Sequence, residues 1–337
     1  MIEQPSFPPY PWQRRQWQRL QQARAGGRIG HAWLLVGPAG LGKSAFARAL
    51  AQSLLCEQPG AAGEPCLRCR SCHLVAVGTH PDLQRIGPEE DGKPIKVDAI
   101  REYCARSALT AQLGGQKVAI LEPADAMNIA AANSLLKTLE EPSPSTILLL
   151  VTAAPHRLPP TVRSRCQRVD FPAPDFVEAA DWLRRQTVGA DAALALRVAG
   201  GAPLAALVSA EAGVLEERSR RLGEFVAVGE GGEDPVRVAE AWLATDWGRL
   251  LDWLAGWALD LLRLRSAGAG ARLTNPDQAA VFQRLADRVD SKVLFALVDQ
   301  VLQTRRAAGS NLNHQLALET LLIRWAAMSP NLSRRPQ

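Results

Sequence analysis

The sequence lacks any uninterrupted run of about 18 apolar residues, the length that a membrane-spanning helix needs, which argues against such a helix. Residues 1–20 also lack the apolar stretch of a secretory signal, so we expect a cytoplasmic protein. Lysine is scarce, because only 6 of the 39 basic residues are Lys and 33 are Arg. The basic excess over the 34 acidic residues is only +5, which permits contact with nucleic acid but does not argue for it.

The first half of the chain alternates between strand and helix signals. The length of 337 residues predicts two or three domains, and 47% hydrophobic against 22% charged residues excludes disorder over most of them. Apolar runs at 32–36, 117–121 and 146–151 alternate with helical patterns at 45–55 and 130–141. Runs that are apolar throughout are typical of a parallel sheet covered on both faces. This half therefore predicts a doubly wound α/β domain.

Strand signals almost vanish after residue 174, and the second half predicts helices. Residues 175–208 predict two or three short helices, and residues 209–330 continue as amphipathic helices. Breaks between the later helices are predicted at 229–232, 268–270 and 308–310. Five of the nine tryptophans lie in this stretch, at Trp242, Trp247, Trp253, Trp257 and Trp325. We interpret them as the core of a helix bundle rather than as a stacking platform for bases.

The motif GPAGLGKS matches the phosphate-binding pattern G-x-x-x-x-G-K-[ST] at every fixed position. Its glycines, Gly37, Gly40 and Gly42, let backbone N–H groups turn inward around phosphates. Lys43 would contact the β- and γ-phosphates, and the Ser44 hydroxyl would hold Mg²⁺ if ATP is bound. An apolar run precedes the loop and a helical pattern follows it, as the pattern requires. We predict a nucleotide site here, and a glycine-rich turn without a ligand is the alternative.

The residues after the run 117–121 lack part of the machinery of an ATPase. Hydrolysis needs one carboxylate that holds the metal and a second that activates water. Glu122 stands at the metal position, and Pro123, which has no base, stands at the water-activating position. Asp125 would help only if the local turn re-aims it. The sequence therefore predicts a loop that can bind ATP beside a site unfit to split it.

Four of the six cysteines crowd into an insert at 56–80, at Cys56, Cys66, Cys69 and Cys72. In a reducing cytoplasm such clustering favours metal binding over disulfides. Four thiolates, with two residues between the last three cysteines, suit a closed tetrahedral zinc site that leaves no position for water and is therefore structural. His73 is a possible substitute ligand, and a set of free buried thiols is the alternative reading. We expect Cys104 and Cys166 to be ordinary thiols.

Three further segments carry a family resemblance: GTHPD at 78–82, AANSLLKTLEEP at 131–142 and SRC at 164–166. Together with the phosphate loop and the cysteine insert, they resemble the AAA+ clamp-loader subunits of bacterial DNA polymerase III. The resemblance covers nearly the whole chain and is least specific in the C-terminal helices. The Tyr-Pro-Trp start, the segment 78–82 and the damaged carboxylate pair resemble a non-motor subunit more than the gamma/tau motor. Leu204 stands where motors carry a sensing Arg, but the intact phosphate loop leaves ATP binding open.

The resemblance implies an N-terminal AAA+ domain (RecA-like, P-loop NTPase) at 1–167, with a parallel sheet and the zinc module inserted at 56–80. It also implies a small helical lid domain at 168–208, an all-α collar domain for oligomerisation at 209–330, and a flexible tail at 331–337. The implied partners are gamma/tau motor subunits, a delta subunit, the sliding clamp (beta), and primed DNA met by the assembled complex.

The resemblance further implies that Arg165, in the SRC segment, is an arginine finger given in trans to the ATP of a neighbouring motor. Arg163 is a second candidate for this role, and a surface ion pair is the alternative for Arg165. The predicted function is that of a non-hydrolysing stator of the clamp loader in DNA replication. The alternatives are an active ATPase, either a gamma/tau-type motor or another AAA+ remodelling enzyme, and a zinc-dependent nucleic-acid-binding module.

Overall fold

The structure is a computed structural model that describes residues 8–27, 29–90, 92–113, 115–187, 191–211, 213–307 and 312–327. The chain divides into two compact units, residues 1–178 and 179–337. The predicted break at 308–310 and the predicted tail at 331–337 lie outside the described residues. The division into domains at 1–167, 168–208 and 209–330 stays a prediction.

Within the described part of the first unit, five parallel strands form one sheet in the order β2-β3-β4-β1-β5. They are β1 Ala32–Val36, β2 Leu83–Ile86, β3 Lys117–Leu121, β4 Thr146–Thr152 and β5 Gln167–Asp170. The central strands β1 and β4 are buried along their whole length, which explains their largely apolar sequence. The predicted parallel α/β sheet is confirmed, and β2 and β5 are strands that the sequence analysis missed.

Parallel strands end at one edge of the sheet, and that edge positions the loop with the predicted phosphate-binding motif. Val36, the last residue of β1, is in register with Thr152 of β4. Leu121, the last residue of β3, pairs with Leu150 of β4. The residues that follow β1, β3 and β4 therefore meet at the carboxyl edge, where ligands bind in open α/β sheets.

The helices around the sheet are α1 Arg14–Ala25, α2 Lys43–Leu55, α3 Arg70–Ala76, α4 Val97–Ser107, α5 Ile129–Glu140 and α6 Pro160–Arg163. The start of α5 is capped by the Asn128 side chain, which accepts a hydrogen bond from the Ala131 N–H at 2.8 Å. The apolar side of this helix, including Leu135 and Leu139, packs into the same core as Leu34 and Leu150 of the sheet.

The chain after the sheet is helical, as the sequence predicts. Its helices are α7 Phe176–Gln186, α8 Ala192–Val198, α9 Pro203–Ser209, α10 Val214–Gly229, α11 Pro235–Trp242, α12 Trp247–Ala267, α13 Ala279–Arg288, α14 Ser291–Ala307 and α15 His314–Ala327. Helices α7 to α9 share one small core, built around Leu183, Leu196 and several alanines. Helices α10 to α15 share a larger one. Two predicted breaks are observed, since α10 ends at Gly229 and α12 ends just before Gly268.

The larger core is rich in tryptophan. Trp242, Trp257 and Trp325 are fully buried, and Trp253 is 4% exposed, which confirms the predicted core role of these four. Trp325 stacks on Phe225 with ring centroids 4.6 Å apart, and its indole N–H donates to the Phe225 carbonyl at 2.8 Å. This contact joins α15 to α10. Trp247 is only half-buried and stacks on His314.

Candidate functional site

The phosphate loop joins β1 to α2 at the carboxyl edge of the sheet. Gly40 and Gly42 have left-handed backbones, with φ of 77° and 80°, which glycine adopts at little cost. A Cβ on Gly42 would lie 2.4 Å from the Tyr10 ring, and one on Gly37 would lie 2.3 Å from the Phe171 carbonyl oxygen. Both positions thus require glycine for space, and Gly42 requires it for conformation as well.

Lys43 occupies the first position of α2 and points into the loop. Its Nζ donates to the Pro38 carbonyl oxygen at 2.7 Å, and the residue is only 6% exposed. Burial lowers the pKa of the Lys43 ammonium, while the negative charges of Glu122 and Asp125 oppose that shift. The ammonium is therefore already held within the loop, close to two carboxylates.

The carboxylate side of the site comes from the segment after β3. The Ser44 hydroxyl donates to the Glu122 carboxylate, so the two groups expected at Mg²⁺ lie in direct contact. Pro123 follows Glu122 and offers no base. Asp125 lies in a short 3-10 turn and accepts a hydrogen bond from the Thr152 hydroxyl at 2.5 Å. The turn brings Asp125 to the end of β4, where it is bonded to Thr152 and its charge still acts on the Lys43 ammonium.

The segment before α1 covers the loop, a feature that sequence reasoning missed. The Trp12 indole N–H donates to the Leu41 carbonyl at 3.1 Å. The Gln13 side-chain amide donates to the Leu41 and Gly42 carbonyls at 2.9 and 3.0 Å. Gln13 is fully buried, although its sequence context gives no sign of it. The Tyr-Pro-Trp start is the sequence feature that lies in this segment, and it predicts none of these contacts.

The four predicted zinc ligands come together. The sulfurs of Cys56, Cys66, Cys69 and Cys72 all lie within 4.8 Å of one another. Zn–S bonds of about 2.3 Å in a tetrahedron place sulfurs about 3.8 Å apart, so the cluster fits such an ion. Hydrogen bonds from the backbone, chiefly that of Arg68, lower the pKa of the Cys66 thiol to about 6. Burial raises the pKa of the Cys72 thiol. Cys104 and Cys166 lie elsewhere, in α4 and just before β5.

A buried hydrogen-bond chain ties this insert to the sheet. The Ser71 hydroxyl donates to the Leu55 carbonyl at 2.6 Å and also contacts the His80 Nε2 at 2.6 Å. The Asp82 N–H donates to the His80 Nδ1 at 3.1 Å. His80 is only 5% exposed, and burial lowers its pKa. The chain thus links α2, α3 and the start of β2 through one imidazole.

Arg165 lies just after α6, in a turn anchored by buried side chains. Leu158 and Val162 on either side of the start of α6 are almost fully buried, whereas the Arg165 side chain is 36% exposed. Its guanidinium forms an ion pair with Glu140, with Nη2 and Oε1 2.5 Å apart, and Nη1 donates to the Thr161 carbonyl at 3.0 Å. The surface ion pair that was the alternative for Arg165 is present. Its presence does not test whether Arg165 also serves as a finger.

Among the described residues, no single helix has the length and apolar composition to cross a membrane. The pair α8 and α9 meets that test only jointly, with a bend of 114° between them.

Comparison with known proteins places the chain among replication proteins. Residues 12–175 match the family described as "DNA polymerase III, delta subunit", and residues 212–327 match "DNA polymerase III, delta subunit, C terminal". The DNA polymerase III subunit delta' of Pseudomonas aeruginosa is 41% identical over 95% of this chain and 98% of its own length. The subunit delta' of Escherichia coli is 36% identical over 94% of both chains. The subunit tau of Bacillus subtilis is 36% identical over 45% of this chain and 26% of its own length.

Proposed function

The chain belongs to the family of DNA polymerase III subunit delta', a clamp-loader subunit, and on this premise we propose that it does not hydrolyse ATP itself but supplies Arg165 in trans to the ATP of a neighbouring motor subunit. The observation that carries the proposal is the carboxylate side of its own site. There Glu122 contacts Ser44, but Pro123 stands where a water-activating base would be needed.

The phosphate loop retains the groups that hold a nucleotide, and they fit one. Lys43 and the backbone N–H groups of the loop would bind the phosphates, and Ser44 with Glu122 would hold Mg²⁺. Bound Mg²⁺ would neutralise phosphate charge at that point. To accept a phosphate, the Lys43 ammonium exchanges its bond with the Pro38 carbonyl for one with the ligand.

The position of Arg165 supports its role as a finger. An arginine that serves a neighbour must be accessible while its backbone is fixed. Arg165 is partly exposed, and the turn that carries it is anchored by Leu158 and Val162. An arginine finger stabilises charge that develops on the transferred phosphoryl group and is worth about 10³ to 10⁵ in rate.

The proposed partners are gamma/tau motor subunits, a delta subunit and the sliding clamp, with primed DNA met by the assembled complex. The likeness of 45% of the chain to a tau subunit supports a ring of similar subunits. Helices α10 to α15 would form the collar that packs against the motors. The four-cysteine cluster would hold a structural zinc ion, because all four positions of a tetrahedron are taken by thiolates.

The test is DNA-stimulated ATP turnover by the reassembled complex, with wild-type chain and with Arg165→Ala. We expect ATP turnover at the motor site that Arg165 serves to fall about 10³-fold or more. The total rate of the complex should therefore fall by at least the fraction that this site contributes. Arg168→Ala is the matched control, because Arg168 is a nearby exposed arginine whose ion pair is with Asp170. Unchanged turnover by an intact Arg165→Ala complex would remove the finger from the mechanism.

A second candidate function, ATP hydrolysis by this chain itself, is favoured by one observation. Asp125 is turned toward the end of β4 and lies close enough to Lys43 for its charge to act on the ammonium. A carboxylate at that place could act as a base in the absence of one at Pro123. Its bond with Thr152 argues instead for a structural role.

A further inference from the structure

We propose that Glu140 is a positioning residue for Arg165, orienting the guanidinium before a motor subunit docks; this inference rests on the proposed function of Arg165. Glu140 is the last residue of α5 and lies 25 positions before Arg165 in the sequence. Nothing in the local sequence pattern joins the two, and only the fold brings them into contact.

The guanidinium is held at two of its nitrogens. Nη2 contacts the Glu140 carboxylate, and Nη1 donates to the Thr161 carbonyl. An arginine has five N–H donors in a planar fork, so these two bonds leave further donors for a phosphate. Two contacts at different nitrogens fix the direction of the guanidinium as well as its position, which a single contact would not do.

Both partners of Arg165 belong to rigid parts of the fold. Glu140 ends a helix that is capped by Asn128 and packed through Leu135 and Leu139. Thr161 lies in α6, next to the fully buried Val162. The last turn of α5 also exposes carbonyl groups that carry partial negative charge, which favours a cation at this end. Glu140 and Thr161 therefore hold Arg165 against elements that are packed on the core.

Because Glu140 holds the Arg165 side chain before a motor subunit docks, less conformational freedom is lost on docking. A free arginine has many rotamers, and immobilising such a side chain at an interface lowers the rate or affinity by roughly 2- to 10-fold. An exposed ion pair adds little to folding stability, so loss of Glu140 should leave the fold intact. Its effect should appear in the reaction instead.

The experiment compares Glu140→Gln with Glu141→Gln in the reassembled complex. Glu141 is the adjacent exposed glutamate and is the matched control. We expect Glu140→Gln to lower kcat at the motor site that Arg165 serves about 2- to 10-fold, with KM for ATP and thermal unfolding unchanged. Glu140→Lys, which places a like charge beside Arg165, should lower kcat further. A Glu140→Gln complex that matches the Glu141→Gln control, or that turns over faster, would overturn the inference.

A double-mutant cycle separates this inference from the proposed function. If Glu140 acts through Arg165, Glu140→Gln adds no further loss in the Arg165→Ala background. An additive loss would show that Glu140 acts elsewhere and would overturn the inference alone. A large loss with Arg165→Ala but none with Glu140→Gln would also leave the finger standing without its positioning residue. Unchanged turnover with Arg165→Ala would refute the proposed function and the inference with it.

Discussion

At the residue scale, His80 shows how one side chain can be committed to a single protonation state. A serine hydroxyl has one proton, and Ser71 gives it to the Leu55 carbonyl. The contact between Ser71 and His80 therefore requires the proton on Nε2 of the imidazole. The other nitrogen, Nδ1, must stay unprotonated because it accepts from the Asp82 N–H. A second proton, on Nδ1, would place the imidazole N–H directly against the Asp82 N–H.

This arrangement predicts that acid weakens the fold through His80. Burial lowers the pKa of His80, although the charges of Asp82 and Glu57 oppose the shift. A lowered pKa means that the unfolded chain binds the proton more readily. The stabilising contribution of neutral His80 is therefore complete above the unfolded pKa of about 6.5 and is lost as the pH falls from there toward the folded value.

The measurement is urea unfolding between pH 5 and 8 for the wild type and for His80→Gln, whose side chain can still donate to Ser71 but does not titrate. Other groups, including the cysteine cluster, titrate equally in both proteins. We expect the stability difference between the two to be constant above about pH 6.5 and to change in favour of the variant below it. Parallel curves over the whole range would contradict the prediction.

At the element scale, the elements predicted from the sequence are those whose signal is local. The sequence predicts the strands β1, β3 and β4 nearly to their ends, because almost all of their residues are buried and apolar. The edge strands β2 and β5 were missed, because their sequences LQRI and QRVD have polar, exposed positions. An apolar run in a sequence indicates a buried strand, and an edge strand has too few buried positions to produce such a run.

The same limit applied to the sites. The phosphate loop and the four cysteines are contiguous or closely spaced, so their chemistry could be predicted from spacing alone. The contacts between Asp125 and Thr152, and between Arg165 and Glu140, join residues on different elements. Such pairs depend on strand order and helix packing, which the sequence specifies only through the whole fold.

The cysteine insert predicts a metal-dependent element. Its helix α3 has seven residues, and the segment before it has little buried apolar surface, so packing alone gives it little stability. We expect about one Zn²⁺ per chain. Replacing a ligand by Cys72→Ser should release the ion and lower the free energy of unfolding by several kcal/mol, because metal binding is coupled to folding.

Metal analysis after dialysis, together with urea unfolding with and without a chelator, checks this expectation. Cys104→Ser is the control, since Cys104 lies in α4 and bonds to Ser134 and Thr138 rather than to the cluster. Full zinc retention by Cys72→Ser would show that Cys72 is not needed to hold the ion. Identical unfolding of the metal-free and metal-loaded wild type would show that the cluster is a set of thiols without a structural ion.

At the scale of the whole molecule, the structure combines an intact phosphate-binding motif with a carboxylate segment that lacks the expected base. The groups expected to bind phosphate, Lys43 and Ser44, are in place, while the expected water-activating position is Pro123. The useful chemistry of the chain would then lie on its surface, at Arg165. A subunit built in this way contributes to a reaction only within an assembly.

The isolated chain is therefore expected to release no phosphate from ATP above the level of Lys43→Ala, because no base activates water. Steady-state phosphate release by the purified wild type, Lys43→Ala and Asp125→Asn measures this directly. Sustained turnover that Lys43→Ala abolishes would establish the chain as an ATPase. If Asp125→Asn abolished it as well, Asp125 would be the base.

The bond between Trp325 and the Phe225 carbonyl joins residues 100 positions apart and has a consequence for synthesis on the ribosome. The core of α10 to α14 stays open on one side until α15 has left the exit tunnel. The sheet of the first unit, by contrast, has all its strands by residue 170. Because domains generally fold as units during synthesis, the α/β unit can fold while the helical bundle still exposes apolar surface. During that interval we expect the nascent bundle to be the part of the chain most prone to aggregation.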